Sequence, residues 1–396
     1  MKVVQLLYKN GIYYDRRGDE LTGNGASLVL AFGNKMVLET DSIYTQLKAD
    51  HPLAEIVLCS TSGEIYDDVV YDATVSVVIM EFEKTLIKSV SINIDDALNS
   101  FEAGKSLFDQ LNSKDLSYVL IISDGSTVNG SELVRGIEQV NHGKVPVTGG
   151  IAGDGDKFRY TIVGCNQEPA KGNVAAIGFY GESLRIGHGS LGGWEIFGPE
   201  KRVTRSVSNR LFEIDGKSAL DVYKHYLGKY AEELPGSALL FPLYVRADGS
   251  ESSVVRSILS IDNEEQCMVF AGDIPEGAHI QFMKANFDKL INAAQSAADS
   301  TLKRIPGIIS PKPKLALLIS CVGRKLILGN RIDEEVETVK EVFGSDTLLS
   351  GFYSYGEISP INYNTKCKLH NQTMTITTFD EETIADGLSQ ITTAAT

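Results

Sequence analysis

The chain has 396 residues, of which 43% are hydrophobic and 22% are charged, a composition that fits a globular protein with one or two domains. Its formal net charge is −15, and no cluster of lysine and arginine residues offsets this negative charge. Because an acidic surface repels phosphate backbones, the composition argues against nucleic-acid binding.

The first residues and the cysteines predict a cytoplasmic protein. The apolar run near the N-terminus is too short for the core of a signal peptide, and no stretch reaches the ~18 apolar residues of a membrane span. The cysteines are widely spaced and odd in number, which is typical of free thiols in a reducing compartment. They are Cys59, Cys165, Cys267, Cys321 and Cys367.

Three segments share one order of elements: an apolar run of strand length, a turn with glycine, an amphipathic helix and a second apolar run. The first segment comprises residues 27–34, 41–51 and 54–65. The second comprises residues 117–125, 131–141 and 144–155, and the third comprises residues 314–324, 333–344 and 346–358. Units of this size are typical of βαβ crossovers. The sequence leaves open whether the two strands of a unit are direct neighbours and whether the units share an ancestor.

Each unit ends in a glycine followed by an acidic residue, and these acids are Glu64, Asp154 and Glu357. In a parallel arrangement the three ends would lie at the carboxyl edge of a sheet, where open α/β sheets bind ligands. We therefore predict that the three acidic residues converge at one edge, with Arg324 among them. The alternative is that glycine and acid serve turn formation alone.

Further elements lie between and after the units. Residues 73–94 alternate like a β-hairpin, and residues 158–165, 173–181 and 183–194 favour strands. Helices are predicted over residues 218–228 and 279–305, the second followed by a proline-rich loop at 306–314.

These elements predict an α/β fold, with α+β as the alternative, built from repeated strand-helix-strand units and additional antiparallel strands. A change in pattern near Gly216 divides the chain into residues 1–215 and 216–396, which we expect to pack together as one composite protein.

Motifs for catalysis and metal binding are absent from the sequence. It has no phosphate-binding P-loop, no H-E-x-x-H and no G-x-S-x-G. The glycine-dense residues 149–155 precede another strand rather than a helix, which argues against a dinucleotide site. An enzyme with Cys59 or Cys321 as nucleophile and Glu64 or Glu357 as acid/base is an alternative, but no activating base is visible.

Arg324 and two tyrosines are candidate binding residues. Arg324 follows a predicted strand, where its guanidinium could hold a carboxylate or phosphate; a salt bridge to Glu357 or to another carboxylate of the Gly-acid turns is the alternative. On a strand, Tyr353 and Tyr355 would point to the same face and could form the aromatic wall of a pocket. The alternative for the tyrosines is the edge of an aromatic core.

Six motifs in order resemble those of the FIST domain proteins, which have a FIST N and a FIST C region. The motifs are CSTSGEI (59–65), GGIAGDG (149–155), GGWEIFGPEKRVTRSVSNRLFEIDGKSAL (192–220), SCVGRKLILGNRIDEEVE (320–337), GFYSYGEISP (351–360) and LHNQTMTI (369–376). The resemblance extends over nearly the whole chain and makes residues 1–215 the FIST N-like region and 216–396 the FIST C-like region.

The resemblance implies a sensory, ligand-binding protein of signal transduction. Matching by motif gives the ligand-binding candidates Ser62, Gly63, Glu64, Gly153, Asp154, Trp194, Gly323, Arg324, Tyr353, Tyr355, Gly356 and Glu357. A stand-alone member is expected to regulate a separate histidine kinase, as in two-component systems, or a cyclic-dinucleotide enzyme. A homodimer is a further expectation.

One subset of the family binds haem through a histidine and senses nitric oxide, so haem is the expected cofactor if this chain resembles that subset. His188, which lies between two glycines that would let a planar ligand approach, is the first candidate for the iron ligand. His370, predicted to open a strand, is the second. A hydrogen-bonded structural histidine is the alternative for both. Alternatives to the haem sensor are a sensor of a small amino-acid-like ligand, the Cys/Glu enzyme and an acidic scaffold.

Overall fold

The computed structural model describes residues 1–234, 236–250, 252–302, 312–360 and 365–381, which form a mixed α/β architecture. The strands are β1 Lys2–Lys9, β2 Ile12–Gly18, β3 Leu28–Gly33, β4 Glu55–Ser60, β5 Glu64–Tyr66, β6 Val69–Tyr71, β7 Val75–Glu81, β8 Leu86–Asn93, β9 Leu116–Ser123, β10 Val147–Ile151, β11 Val163–Cys165, β12 Asn173–Tyr180, β13 Leu184–Leu191, β14 Glu195–Val207, β15 Arg210–Ile214, β16 Lys217–Ser218, β17 Leu243–Arg246, β18 Ser253–Arg256, β19 Ile258–Asp262, β20 Cys267–Phe270, β21 His279–Lys284, β22 Leu315–Cys321, β23 Leu348–Ser354, β24 Gly356–Pro360, β25 Cys367–His370 and β26 Met374–Glu381. The α-helices are α1 Lys35–Thr40, α2 Ile43–Asp50, α3 Ser100–Leu111, α4 Gly130–Asn141, α5 Ala219–Leu227, α6 Phe287–Leu302, α7 Val322–Leu328 and α8 Ile332–Phe343. None of the helices in the described part of the chain has the length and hydrophobicity needed to cross a membrane.

Three six-stranded sheets repeat one pattern of strands. The first sheet has the order β11-β4-β3-β7-β1-β2, the second β25-β24-β10-β9-β12-β8 and the third β6-β5-β23-β22-β26-β13. Each sheet contains one parallel pair, β3/β4, β9/β10 or β22/β23, which is central in the second and third sheets and one strand from the edge in the first. The strand on each side of the pair is antiparallel to it. The predicted α/β fold with repeated units and additional antiparallel strands is therefore confirmed, and the two strands of each unit are direct neighbours.

After each parallel pair the chain crosses into another sheet. From β4 it passes to β5, which pairs with β23 in the third sheet. From β23 it passes to β24, which pairs with β10 in the second sheet, and from β10 to β11, which pairs with β4 in the first. The three crossings form a closed cycle, and the predicted Gly-acid turns lie at these crossings.

The inner faces of the three sheets share one apolar core, while their outer faces are covered mainly by helices. In β3 every residue is buried. Leu28, Leu30 and Phe32 belong to the shared core, whereas Val29 and Ala31 belong to the core that includes residues of α1 and α2. Strands buried on both faces have nearly continuous apolar sequences, which is why these runs were recognisable. Helices α3 and α4 cover the second sheet, and α6 and α8 cover the third.

A fourth sheet is formed by the residues between β13 and β22, which are both strands of the third sheet. This inserted sheet has the order β18-β17-β21-β14-β15-β20-β19, with β16 paired to β15, and it encloses a separate core with α5. The predicted boundary near residue 216 lies between β15 and β16 of this sheet. Strands β22 to β26 then return to the second and third sheets, so these sheets combine strands from both predicted regions.

Three local predictions were wrong. The strands in residues 73–94 do not form a hairpin, because β7 pairs with β1 and β3 in the first sheet and β8 with β12 in the second. Residues 279–284 form a strand that packs Ile280 and Phe282 into the inserted core, so helix α6 begins only at Phe287. His370 ends strand β25 rather than opening a strand. Residues 306–311 of the predicted proline-rich loop lie outside the described residues.

Candidate ligand-binding site

The three Gly-acid turns meet at the carboxyl ends of the parallel pairs. Each turn donates a backbone N–H to the strand end of another unit: Ser62 to Tyr353 O (2.8 Å), Gly153 to Ser60 O (3.0 Å) and Tyr355 to Ile151 O (3.0 Å). The three strand ends therefore meet, but they belong to three different sheets rather than to one edge of a single sheet as predicted.

Glu64 lies buried in the first crossing and accepts three hydrogen bonds. Its Oε1 accepts from the Thr61 hydroxyl at 2.5 Å. Its Oε2 accepts from the backbone N–H of Thr74 at 3.1 Å and from the hydroxyl of the same residue at 2.8 Å. Since Thr74 immediately precedes β7, the carboxyl group fastens the turn to the strand that follows it.

Glu357 repeats this arrangement in the third unit. It accepts from the Ser354 hydroxyl at 2.7 Å and from the N–H and hydroxyl of Thr373, just before β26, at 3.1 and 2.9 Å. Burial raises the pKa of Glu64 to about 7 and that of Glu357 to about 8, although the hydrogen bonds favour the charged forms. Each carboxyl group thus has the same structural role in its own crossing.

Asp154, in the remaining turn, has different partners. Its Oδ2 lies 3.1 Å from Nζ of Lys35 and accepts the N–H of Arg159 and of Tyr160, and its Oδ1 accepts the hydroxyl of Tyr355. Burial raises the pKa of Asp154, but the hydrogen bonds from Tyr355 and Lys35 outweigh it and hold the pKa below its ordinary value. The structure therefore brings the turns together but gives each carboxyl group its own partners.

Arg324 is fully buried in α7 and does not lie among these carboxyl groups. Its Nε donates to Glu335 Oε1 at 2.6 Å, and Nη2 donates to the same carboxylate and to Leu290 O at 2.8 Å. Its Nη1 donates to Gly192 O at 2.5 Å and to Gln372 O at 3.4 Å. All five N–H donors are thus directed at protein acceptors, and the ion-pair partner is Glu335 rather than the predicted Glu357.

Trp194 and Gly323 pack around Gln372, a buried residue with φ 63°. The indole of Trp194 donates to Gln372 O at 2.9 Å. A Cβ on Gly323 would lie 2.4 Å from Nε2 of Gln372, so a larger residue would displace the buried amide of Gln372. The side-chain N and O atoms of Gln372 and of its neighbour Asn371 are buried without a hydrogen-bond partner in the described part of the chain. The sequence did not single out these two amides, although the LHNQTMTI motif contains them.

A cavity of about 250 Å³ opens beside the Asp154 turn, between the ends of β9 and β10 and the inserted sheet. Its lining residues are Gly125, Ser126, Val128, Gly130, Ile151, Phe158, Arg159, Tyr160, Leu259, Ala271, Tyr355 and Leu369. Tyr355 is the one predicted ligand-binding residue among them. Because Leu259 and Ala271 belong to the inserted region, the cavity is composite.

Phe158 and Tyr355 form an aromatic wall of this cavity. Their rings stack with centroids 4.6 Å apart and planes at 17°. Phe158 is 46% exposed and has φ 50°, a left-handed conformation that is uncommon for a bulky residue and costs ~1–3 kcal/mol. The Tyr355 hydroxyl accepts the N–H of Phe158 at 3.2 Å and so supports this conformation. Phe158 was not predicted, because nothing in its sequence context indicates a positive φ.

Arg159 provides a positive charge at the same cavity. Its side chain is exposed, and its guanidinium has no hydrogen-bond or ion-pair partner among the described residues. Only its backbone N–H is engaged, by Asp154 at 3.2 Å. The cavity therefore combines an aromatic wall, apolar side chains and a free guanidinium, which are the features expected for a small amphipathic ligand.

The other predicted residues of the turns have packing roles. Tyr353 is buried beneath α8 and donates to Glu335 Oε2 at 2.8 Å, so it does not share a face with Tyr355. The Ser62 hydroxyl accepts the N–H of Gly155 at 3.2 Å.

The glycines of the turns are closely packed. Added Cβ atoms would lie 2.4 Å from Nζ of Lys325 at Gly63, 2.3 Å from Oγ of Ser62 at Gly153 and 3.0 Å from Leu369 at Gly356. Gly153 therefore permits the close approach of two crossing turns, whereas Gly63 makes room for Lys325 of α7 and Gly356 for Leu369 of β25.

The two predicted haem histidines lie in packed surroundings. The glycines beside His188 face α6: added Cβ atoms at Gly187 and Gly189 would lie 2.6 and 2.2 Å from carbonyl oxygens of that helix. His188 is buried and, by the alternation of a strand, lies on the opposite face. His370 Nε2 lies 3.0 Å from Ser359 O, and burial lowers the pKa of His370 to about 4. Both histidines thus lie against protein atoms, and these surroundings do not fit a haem.

The cysteines of the alternative enzyme are buried. Burial raises the pKa of both the Cys59 and the Cys321 thiol, which disfavours the nucleophilic thiolate. In the first of the two, burial is the sole cause of this shift.

Comparison with known proteins places these features in a family. Two domain models match successive parts of the chain, the FIST N domain over residues 27–217 and the FIST C domain over residues 219–360. An uncharacterized protein of Methanocaldococcus jannaschii is 23% identical over 358 residues, and the match covers 82% of this chain and 66% of that protein. The chain thus spans just under two thirds of the length of this relative. The FIST N match includes Phe158 and the FIST C match includes Tyr355, so both sides of the aromatic wall lie within matched regions.

Proposed function

The chain belongs to the FIST family, and from this premise we propose that it is a ligand sensor whose small-molecule ligand binds the cavity beside Tyr355. FIST domains are sensor domains of signal transduction, which supports this class of function. The cavity supports the location, because its walls come from both matched regions of the chain.

The observation that carries the proposal is the conformation of Phe158. An exposed aromatic ring in the left-handed region is held over the cavity by stacking and by the hydroxyl of Tyr355. Backbone strain of this kind persists where the surroundings impose it, and it is concentrated at ligand sites. Packing alone does not explain why a strained, half-exposed ring is held beside an open cavity.

The lining favours an amino-acid-like ligand. A carboxylate of the ligand would pair with the free guanidinium of Arg159, and an apolar or aromatic side chain would pack on Phe158 and Tyr355. The volume of about 250 Å³ suits a molecule smaller than most drug-sized ligands.

Binding would be sensed through the contacts between the two matched regions. A ligand shifts a conformational equilibrium only if it binds the two states with different affinity. A ligand that touches both Phe158 of the FIST N match and the inserted residues Leu259 and Ala271 of the FIST C match would favour the state in which these walls are close. We propose that this state is read in trans by a histidine kinase or a cyclic-dinucleotide enzyme, as the family resemblance implies.

The test is a thermal-shift and calorimetric screen of the purified protein with the twenty L-amino acids. We expect at least one to raise the melting temperature, since a ligand of the native state stabilises it. Phe158→Ala should abolish the shift, and Arg159→Gln should weaken binding by roughly tenfold, about 1.4 kcal/mol. The control Arg16→Gln, which makes the same charge change at an exposed site on β2, should bind normally. Binding that persists in Phe158→Ala would contradict the proposed site.

A haem-dependent form of the sensor, responsive to nitric oxide, is a separate hypothesis that rests on the family resemblance. Because His188 and His370 lie in packed surroundings, we assign no step to either. A Soret band in protein expressed with added haem, lost in His188→Ala or His370→Ala, would support it. Protein that stays colourless after haem addition would contradict it.

A further inference from the structure

A second cavity, of about 370 Å³, lies between α4, β25 and the inserted sheet. Its apolar walls include Val134 of α4 and Val245 and Val254 of the inserted sheet. Leu369 lines this cavity and also the cavity beside Tyr355. The two cavities otherwise have different lining residues.

The second cavity is basic, although the protein is acidic. The cavity is lined by four basic residues, Arg135, Arg256, Lys366 and Lys368, and by two acidic residues, Glu138 and Asp273. Since Arg135 also forms an ion pair with Glu132 outside the lining, the local excess is one positive charge, against a net charge of −15 for the whole chain. A reversal of sign at one concave site favours the approach of an anion there.

The two acids form no ion pair with these cations within the described residues, although the charge of Asp273 acts on Arg256. Glu138 is buried and accepts from the N–H groups of Cys367 and Gly143, both at 3.0 Å. Asp273 accepts from the side chain of Asn129 at 3.3 Å. Within the described residues neither carboxylate lies within 4.0 Å of a basic nitrogen in the cavity wall.

Arg256 is the central observation. It is 6% exposed, and its Nε and Nη1 donate only to carbonyl oxygens, among them Asp273 O at 3.1 Å and Leu369 O at 3.0 Å. Its Nη2 has no hydrogen-bond partner among the described residues, and no described carboxylate forms an ion pair with it. The charge of Asp273 favours the charged guanidinium, but burial outweighs it and lowers the pKa of Arg256 to about 10, so a closer negative charge would stabilise this group.

Lys368 adds a second positive charge close to this guanidinium. Its ammonium group donates to the Ser252 hydroxyl and has no described carboxylate partner. Burial lowers the pKa of Lys368, and the charge of Arg256 lowers it further. The two cations therefore repel each other in a half-buried space that an anion would stabilise.

We propose that this second cavity binds a small organic anion, a carboxylate or a phosphate monoester that carries an apolar group. The free Nη2 of Arg256 and the ammonium of Lys368 hold the anionic group, and the valine side chains hold the apolar part. Since the other guanidinium nitrogens are engaged by carbonyl groups, Arg256 contributes one nitrogen rather than a bidentate face. The site does not depend on the ligand proposed for the cavity beside Tyr355.

The test is isothermal titration calorimetry of the full chain with benzoate, phenyl phosphate and the uncharged analogue benzamide. We expect one or both anions to bind, and benzamide to bind at least about tenfold more weakly. Lys368→Gln should weaken anion binding by about tenfold, whereas Lys114→Gln, at an exposed site remote from the cavity, should leave it unchanged. Phe158→Ala should also leave it unchanged, which separates this site from the first cavity.

The outcomes distinguish the form of the anion and the validity of the proposal. Preference for benzoate identifies a carboxylate ligand, and preference for phenyl phosphate identifies a phosphate ligand. The proposal is overturned if neither anion binds the folded protein up to about 10 mM, or if benzamide binds as well as the anions. Unchanged anion binding in Lys368→Gln also overturns it. Circular dichroism confirms that each variant is folded, and the partly exposed Lys368 makes this variant a milder change than one at Arg256.

Discussion

The buried carboxyl group of Glu357 predicts that the protein loses stability as the pH rises through neutrality. Burial raises its pKa in the folded protein from 4.5 to about 8, whereas in the unfolded chain it titrates near 4.5. Between these values the folded state holds a proton that the unfolded state has released. The resulting stabilisation is complete below pH 4.5 and is lost as the pH rises past about 8.

The size of the effect follows from the two pKa values. At ~1.36 kcal/mol for each pKa unit, the complete titration corresponds to about 5 kcal/mol of unfolding free energy. Between pH 6 and pH 8 the expected loss from Glu357 is about 2 kcal/mol. Glu64, with its pKa raised to about 7, adds a loss in the same direction. Over that interval it amounts to about 1 kcal/mol.

Urea unfolding at pH 6 and pH 8 measures this dependence, and Glu357→Gln assigns it. The variant is uncharged at both pH values, so its unfolding free energy should fall by about 2 kcal/mol less than that of the wild type. The control Glu232→Gln removes an exposed carboxylate and should keep the wild-type dependence. Equal stability of the wild type at the two pH values, or the same fall in Glu357→Gln, would refute the reasoning.

Three further predictions concern stability, each measured by urea unfolding. Gly153→Ala places a Cβ 2.3 Å from Oγ of Ser62 and should cost ~1–3 kcal/mol, whereas Gly236→Ala, with open space around the added atom, should change little. Arg324→Met removes one partner of the fully buried ion pair with α8 and should cost ~3–5 kcal/mol; a loss below ~1 kcal/mol would show that the pair is unimportant. Asn371→Leu replaces an amide without described partners and should stabilise the protein by ~1–3 kcal/mol. A loss of stability instead would reveal a bound group at that amide.

The strand-helix-strand units could be predicted because their signals are local. Strand β3 is apolar at every position, and α4 shows helical periodicity between a capping Asn129 and the end of its last turn. The pairing of the crossing strands could not be predicted. Strand β5 pairs with β23, nearly three hundred residues later, and an alternating pattern such as residues 73–94 fits a hairpin and two separate strands equally well.

The candidate site was predicted only in part, for a similar reason. Motif matching found Tyr355, which lines the cavity, but the strained Phe158 and the unpaired Arg159 depend on backbone conformation and on neighbours distant in sequence. Arg324 looked like a ligand-binding residue because strand ends are common binding positions. Its actual partner, Glu335, lies on the next helix. A sequence-based placement of that helix that is wrong by one residue would assign a different partner to Arg324.

The repeated Gly-acid turn is explained by the closed exchange of strands, and the departure of one copy from the pattern indicates where function was added. In two crossings a hydroxyl residue three positions before the acid binds a buried glutamate, as Thr61 does for Glu64. In the crossing from β10 to β11 that position is Ile151 and the acid is Asp154. This acid instead accepts the hydroxyl of Tyr355, and the ring of Tyr355 lines a cavity whose wall is partly formed by the inserted region. The crossings that contain Glu64 and Glu357 thus have a structural role. The crossing that contains Asp154 lies against the inserted region and supplies the surface on which we place the ligand.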